Sequence, residues 1–317
     1  MSIKMKNLLT HLQHPNSTKD YQAEDEPDAI KISEYWGRRT YQNQKPKISF
    51  ELFPPKSDSA NKLLKKTHQK LSEINPDYFS VTFGALGLSQ NDTFDTVADL
   101  SENTKIPIIP HLTCVGIDKK QVTDLLDEYI AQGVSQIMVL KGDYPKTIIK
   151  KGDFNYANEM VEFIKENYFD INILVAAYPE KHPHSNCIST DIDFFVNKVN
   201  AGADKAVTQY FYNIDAYLHF IEEVQKRNID IPITPGIMPI TNYDQLIYFS
   251  KTCGAEIPAW ILNKLKLYKN DLNSLKEFGE DVVSEMCLKL KDNGVSSFHF
   301  YCLNKAEPTL SIVKKIT

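Results

Sequence analysis

The 317-residue chain is 42% hydrophobic and 24% charged with a net charge of −5, the make-up of a soluble globular protein able to bury a sizeable core. The acidic balance argues against a nucleic-acid binder, which normally presents a strongly basic face. No apolar run reaches the roughly 18 residues that a membrane span needs, so no membrane association is expected.

The N-terminal stretch MSIKMKNLLTHLQH holds too little apolar sequence for a secretory leader. The five cysteines (Cys114, Cys187, Cys253, Cys287 and Cys302) are odd in number and form no C-x-x-C pair. Neither a disulfide framework nor a structural zinc site is expected, and a reducing cytoplasm fits best. Residues 1–46 are polar and mixed in charge, with Glu24, Asp25, Glu26 and Asp28 close together. They read as an N-terminal extension, within which 31–41 (KISEYWGRRTY) is a short helix or an arm over the domain.

From residue 47 a rhythm sets in. Short apolar, β-branched or aromatic runs occur at 47–53, 78–84, 106–114, 136–143, 171–178, 206–211, 231–238 and 297–303. Each reads as a buried strand by length and residue type. Helical patterns lie between them. In 118–132, Asp118 caps the start with Gln121 three residues on, Val122, Leu125, Leu126, Tyr129 and Ile130 form an apolar stripe, and Gly133 ends it. Segment 190–201 repeats this with Ile192, Phe195, Val196 and Val199 before Gly202. So does 271–293, with Leu272, Leu275, Phe278, Val282 and Met286 before Gly294. Segment 256–268 reads as an extra helix inserted before this final long one and the last strand.

Eight strands alternating with helices predict an α/β fold, a (β/α)8 TIM barrel over 47–317. The competing open doubly wound sheet usually announces its nucleotide site with G-x-G-x-x-G after a strand. That string and a Walker A sequence are both absent.

Barrel chemistry sits where strands end. There stand Glu51, Thr82, His111, Asp143, Tyr178, Gln209 and Asn304, either a rim that meets solvent and turns or the components of a site. Glu51, beside Phe50, Leu52 and Phe53, shares the inward side of its strand with Ser49 and Phe53; a carboxylate there is costly unless paired or protonated. His111 reads equally as a core histidine, Lys141-Gly142-Asp143 as a turn, and the aromatics Tyr210, Phe211 and Tyr212 as packing. His182 and His184 lack acidic or cysteine partners at ligand spacing, so no metal is expected. No H-E-x-x-H or G-x-S-x-G occurs, which removes the usual signatures of zinc proteases and serine hydrolases.

The strand-end segments FELFPP (50–55), SVTFGA (80–85), PHLTC (110–114), LKGD (140–143) and AAYPEKHP (176–183) resemble those of methylenetetrahydrofolate reductases. So do AGADKAVTQYFY (201–212), PGIMPITNY (235–243), IPAW (257–260) and FHFYCLN (298–304). The likeness runs in order from about 47 to 307, and the chain is similar to the short, bacterial form.

The resemblance implies a non-covalent FAD, NADH or NADPH as co-substrate, and methylenetetrahydrofolate as the acceptor of hydride in a ping-pong reduction to methyltetrahydrofolate. It implies Glu51 as general acid for opening the five-membered ring and Asp143 as the carboxylate near flavin and folate. It places Gln209 on the pterin, Phe249 as an aromatic that stacks on either substrate, and Gln245, Lys305 and Thr82 among the substrate contacts. Phe83, Ala85, His111, Lys141, Gly142, Tyr178, His182, Asp191 and Lys198 fall where the family holds FAD or nicotinamide, with Thr82 and Asp143 beside them. Lys141, Asn197 and Lys305 depart from the family's basic or arginine positions. Lysine lacks the bidentate fork of arginine, so the pyrophosphate grip and the folate-tail contacts are where this chain can differ. The resemblance leaves the nicotinamide preference and the oligomeric state open, a homo-oligomer included. Two rivals stand beside it: a flavin-free barrel enzyme acting on a pterin or phosphorylated substrate, and a non-catalytic folate or nucleotide sensor.

Overall fold

The computed structural model describes residues 45–83, 90–142 and 152–317. The expected arm at 31–41, Ala85 and Asp143 lie outside the described residues.

Nine parallel strands follow in chain order among the described residues: β1 (Lys47–Leu52), β2 (Tyr78–Val81), β3 (Ile108–Thr113), β4 (Gln136–Leu140), β5 (Asn172–Ala177), β6 (Lys205–Thr208), β7 (Ile233–Thr234), β8 (Gly236–Ile237) and β9 (Ser297–Tyr301). Their hydrogen-bonded order is β7-β6-β5-β4-β3-β2-β1-β9-β8. Only Pro235 separates β7 from β8, so the two ends of the sheet are one stretch of chain and the ring closes with eight positions. The expected single strand over 231–238 is broken there. Proline has no N–H for a ladder, so β7 pairs with β6 and β8 with β9. The Pro235 carbonyl accepts the His299 N–H at 3.0 Å, and the Gly236 N–H donates to Thr208 Oγ1 at 2.9 Å.

Ten helices are described: α1 (Asp58–Ser72), α2 (Gln90–Ser101), α3 (Lys119–Ala131), α4 (Ala157–Asn167), α5 (Ile188–Asn200), α6 (Ile214–Gln225), α7 (Tyr243–Cys253), α8 (Ala259–Leu267), α9 (Leu272–Asp292) and α10 (Thr309–Ile316). α3 starts at a reciprocal cap. Asp118 Oδ1 accepts the Gln121 N–H at 2.9 Å, and Gln121 Oε1 accepts the Asp118 N–H at 3.0 Å. Gly133 stops it at φ +84°. Val122, Leu126 and Tyr129 form the buried face, whereas Ile130, expected in that stripe, is 41% exposed. Leu272 is likewise exposed at the start of α9, while Leu275 and Met286 are buried. The inserted helix is α8: Ile261 and Leu265 are buried, and the Trp260 and Tyr268 rings flank Phe278 of α9.

The main core lies between the ring and its helices. A second, small cluster of Tyr78, Ile109, Met138, Leu174 and Val207 plugs the barrel interior. These are the alternate, inward positions of β2 to β6. On one side of the plug Lys205 Nζ donates to Gln136 Oε1 at 3.0 Å, and the Thr234 and Ser297 hydroxyls lie 3.0 Å apart. Towards the C-terminal strand ends lie Glu51, His111 and Tyr301. The plug therefore makes the barrel interior a packed core and not a pore.

Gly236 sits at the point of closure. A Cβ there would collide with the Thr208 carbonyl oxygen and lie 2.6 Å from the Tyr301 ring. We expect Gly236→Ala to lower stability by about 1–3 kcal/mol, the usual cost of overpacking a core, measured as a lower urea midpoint at unchanged slope.

Candidate active site

Glu51 stands next to last on β1, between Phe50 and Leu52, both fully buried on the helix-facing side. Its own side chain turns into the barrel mouth and is 23% exposed. Burial pushes its carboxyl up to about 8 from an ordinary value of 4.5, with no compensating cation among the described residues. The nearest ring nitrogen, His111 Nε2 on β3, lies 3.9 Å away, too far for a hydrogen bond. Burial drives His111 down to about 3, and its Nε2 has no protein partner. Both shifts run toward the uncharged forms, a carboxylic acid facing a neutral imidazole.

Beneath them lies a polar layer. His299 Nδ1 and Ser49 Oγ are 2.8 Å apart, and His299 Nε2 is 3.5 Å from Ser80 Oγ. All three residues are buried. His299 is held near 3 by burial first and His111 second. Tyr78 stacks on its ring at 5.5 Å and Tyr301 meets it edge-on at 5.4 Å. The Tyr301 hydroxyl donates to the Thr208 carbonyl at 2.7 Å. Ser49, His299 and Tyr301 were not singled out from sequence. Strand alternation in S-F-H-F-Y puts His299 and Tyr301 on the same inward face as Glu51, which is the signal that could have found them.

The predicted residues of the flanking loops fall into identifiable groups. Thr82 follows β2 and buries Oγ1 without a protein partner, with Phe83 packed on the core beside it. After β4, Lys141 is exposed and its Nζ lies 5.1 Å over the Tyr156 ring. Gly142 adopts φ +77°, and a Cβ there would stand 2.9 Å from Thr113 Cβ. The tight turn therefore requires glycine and exposes backbone at the mouth.

After β5, Tyr178 and His182 meet edge to face at 4.7 Å. Asp191 of α5 accepts the His182 N–H at 2.9 Å and the Ser185 hydroxyl at 2.7 Å, so its carboxylate folds the loop that carries His182. Lys198, also on α5, donates to the Ala176 carbonyl. Its ammonium is pushed down to about 8 by burial, against the pull of Asp191. Among the described residues no three His, Cys, Asp or Glu side chains form a metal-binding group.

Gln209 follows β6, and its Oε1 accepts the Tyr210 N–H at 3.0 Å. Gln209 and Tyr178 line one narrow cleft together with Glu180, Tyr210 and Cys253. Tyr210, Phe211 and Tyr212 are buried, in keeping with their reading as packing. Glu180 was missed by sequence reasoning: Oε2 accepts the Glu256 N–H at 2.8 Å, Oε1 is buried without a partner, and burial raises the carboxyl to about 7. Phe249 on α7 is half-buried against the core, beside an exposed Tyr248 at 5.8 Å. Gln245 and Lys305, far apart in sequence, line one open cavity of about 820 Å³ with Lys276, Lys314 and Glu307.

The donor set suits a group with a polar heteroaromatic ring and phosphates. The orphaned Thr82 hydroxyl and His111 nitrogen supply hydrogen-bonding groups at the ring's scale. The glycine turn at 142 lets backbone approach closely, and the buried Lys198 supplies a cation. The flavin expected from sequence fits these residues.

Comparison with known proteins shows the family. The family model for methylenetetrahydrofolate reductase matches residues 37–317. A 5,10-methylenetetrahydrofolate reductase of Buchnera aphidicola (from Schizaphis graminum) is 38% identical over 270 residues, 85% of this chain and 91% of that protein. The Escherichia coli enzyme of the same name is 33% identical over 84% of this chain and 88% of its own length. Among solved structures, a Clostridium thermocellum protein described as binding two copies of 5-methyl-5,6,7,8-tetrahydrofolic acid shares the fold, with a TM-score of 0.59 at 17% identity over 88% of this chain and 97% of that one. Matched over most of its length by this family model and these relatives, the chain belongs to the methylenetetrahydrofolate reductase family of oxidoreductases.

Proposed function

We propose that the barrel reduces 5,10-methylenetetrahydrofolate to 5-methyltetrahydrofolate with Glu51 as general acid. The carrying observation is the carboxyl at the mouth, raised to about 8 by burial with no compensating cation among the described residues. Such a group still holds its proton at neutral pH. Donated to a ring nitrogen of the substrate, that proton breaks one carbon–nitrogen bond of the five-membered ring. It leaves the methylene carbon as a cationic iminium, which becomes the methyl group on accepting hydride. Solvent then returns a proton to Glu51.

A non-covalently bound FAD would supply the redox chemistry linking NADH or NADPH to the folate, with the two substrates taking turns at one face. Thr82, Phe83, Ala85, His111, Lys141, Gly142, Tyr178, His182, Asp191 and Lys198 are the residues assigned to hold it and the nicotinamide. Gln209, in its cleft beside Tyr178, is assigned to the pterin, and Phe249 to stacking on either substrate. Gln245 and Lys305 are assigned to the folate tail, which their shared open cavity has room to take. Asp143, which lies outside the described residues, is assigned on sequence correspondence to stabilising the developing cation. We further assign 47–317 as the catalytic barrel and 1–46 as an extension. A cytoplasmic setting is supported by five free cysteines.

Anaerobic reduction of the purified holoenzyme by NADH and by NADPH, followed by reoxidation with the folate, tests this reading. A yellow protein that bleaches and regains its colour supports it. A colourless protein, or one that methylenetetrahydrofolate cannot reoxidise, contradicts it. Glu51→Gln is expected to bleach with nicotinamide within about twofold of the wild-type rate, yet to lose about 10²–10⁴-fold in the folate step. Reoxidation at the normal rate would remove the acid role. For Asp143→Asn we expect retained FAD and a folate step slowed about 10²-fold in single turnover; an unchanged rate constant would exclude cation stabilisation. The pH profile has a definite sign. Because the acid form is the active one, the folate step should be level below the Glu51 value of about 8 and fall above it. Stopped-flow reoxidation across that range checks this, and the limb should vanish in Glu51→Gln.

A further inference from the structure

The strand end that carries Glu51 is held by the segment after β9. The β1–β9 ladder stops at the Glu51–Tyr301 pair. Beyond it a side chain takes over. The Phe53 N–H donates to Asn304 Oδ1 at 3.0 Å, and Asn304 Nδ2 donates to the Phe53 carbonyl at 2.8 Å. A primary amide offers an acceptor and a donor together, so it can stand in for one more peptide unit of the ladder. The Cys302 thiol donates to the Glu51 carbonyl at 3.1 Å, and the Asn304 carbonyl accepts the Thr67 hydroxyl of α1 at 3.1 Å. Asn304 is buried, at 7% exposure.

The backbone shows what this arrangement demands. Leu303 and Asn304 have φ of +52° and +53°. Asparagine tolerates that region; leucine does not do so readily. Two adjacent non-glycine residues held there are over-determined by their surroundings. The same turn delivers the next residue, Lys305, to the cavity shared with Gln245.

We propose that Asn304 is a positioning residue for the folate step, fixing the end of β1 so that the Glu51 carboxyl stays sheltered at the mouth while Lys305 is presented to the folate cavity. The inference rests on Glu51 being the acid. Among the described residues, Tyr78, His111, Tyr301 and Cys302 are titratable groups that interact with Glu51. Burial raises the tyrosines and the thiol and lowers the histidine, so all four are neutral around pH 7. Shelter from water is then the quantity that Asn304 controls.

Asn304→Gly separates the amide from the strain, since glycine accepts the positive φ but makes neither bond to Phe53. In the FAD-loaded enzyme we expect flavin reduction by nicotinamide within about twofold of wild type. We expect reoxidation by the folate to slow at least tenfold, and its alkaline limb to move down by about one pH unit as water reaches Glu51. Thr67→Val, which loosens the same turn from α1, should move the limb in the same direction by less, and it serves if the glycine variant does not fold. An unchanged limb in whichever variant folds, or equal loss in both half-reactions, overturns the proposal and leaves Asn304 a purely structural residue. A wild-type enzyme that fails the folate step would instead overturn the Glu51 reading itself.

Discussion

The withdrawal of one carboxyl group from water, with no cation put in its place, is the constraint around which the mouth of this barrel is arranged. A salt bridge to Glu51 would stabilise the fold but ionise the acid. The structure instead sets a neutral imidazole 3.9 Å away and two fully buried apolar neighbours on β1. The linkage follows from the sign of the shift. Glu51 is raised in the folded state, so whatever stability its protonated form contributes is complete below about 4.5 and is lost as pH rises towards about 8. Stability on the alkaline side is given up so that a carboxylic acid exists at neutral pH.

The rest of the site is divided by element, and each part is rigid for a local reason. The apolar plug fills the inside of the ring. Pro235 breaks the seventh strand so that the sheet can close on itself, and Gly236 leaves room for the Tyr301 ring beneath the acid. Asp191 spends both oxygens on the 182–185 loop. The outward residues of the strands pack against the helices, while the inward ones form the plug and, at the strand ends, the polar mouth.

Much of this was legible in the chain. Short apolar runs at regular spacing gave the strands, and Asp118 with Gln121 gave the start of one helix, because both signals are local. Glu51 was legible because a charged residue inside an apolar run needs a reason. The split at Pro235 was harder to see, since a two-residue strand on either side looks like one run until the closing partners are known. The exposed Ile130 shows the limit of a stripe drawn on a wheel: which edge meets the core depends on how the helix lies on the sheet. His299, and what Asn304 at its strand end holds, were hidden for another reason. Their partners, Ser49 and Phe53, are about 250 residues away, and no local pattern reports a contact across the closure of a ring. The shared cavity of Gln245 and Lys305 was beyond composition and spacing alike, though the likeness to known relatives had named both residues.

The account stands or falls on the protonation state of Glu51. Infrared difference spectroscopy of wild type against Glu51→Gln, titrated from acid to alkaline pH, reads it directly. The account predicts a protonated-carboxyl band that is present at pH 7, disappears near pH 8 and is missing from the variant. A band that is already gone by about pH 5, as for an ordinary glutamate, would contradict it.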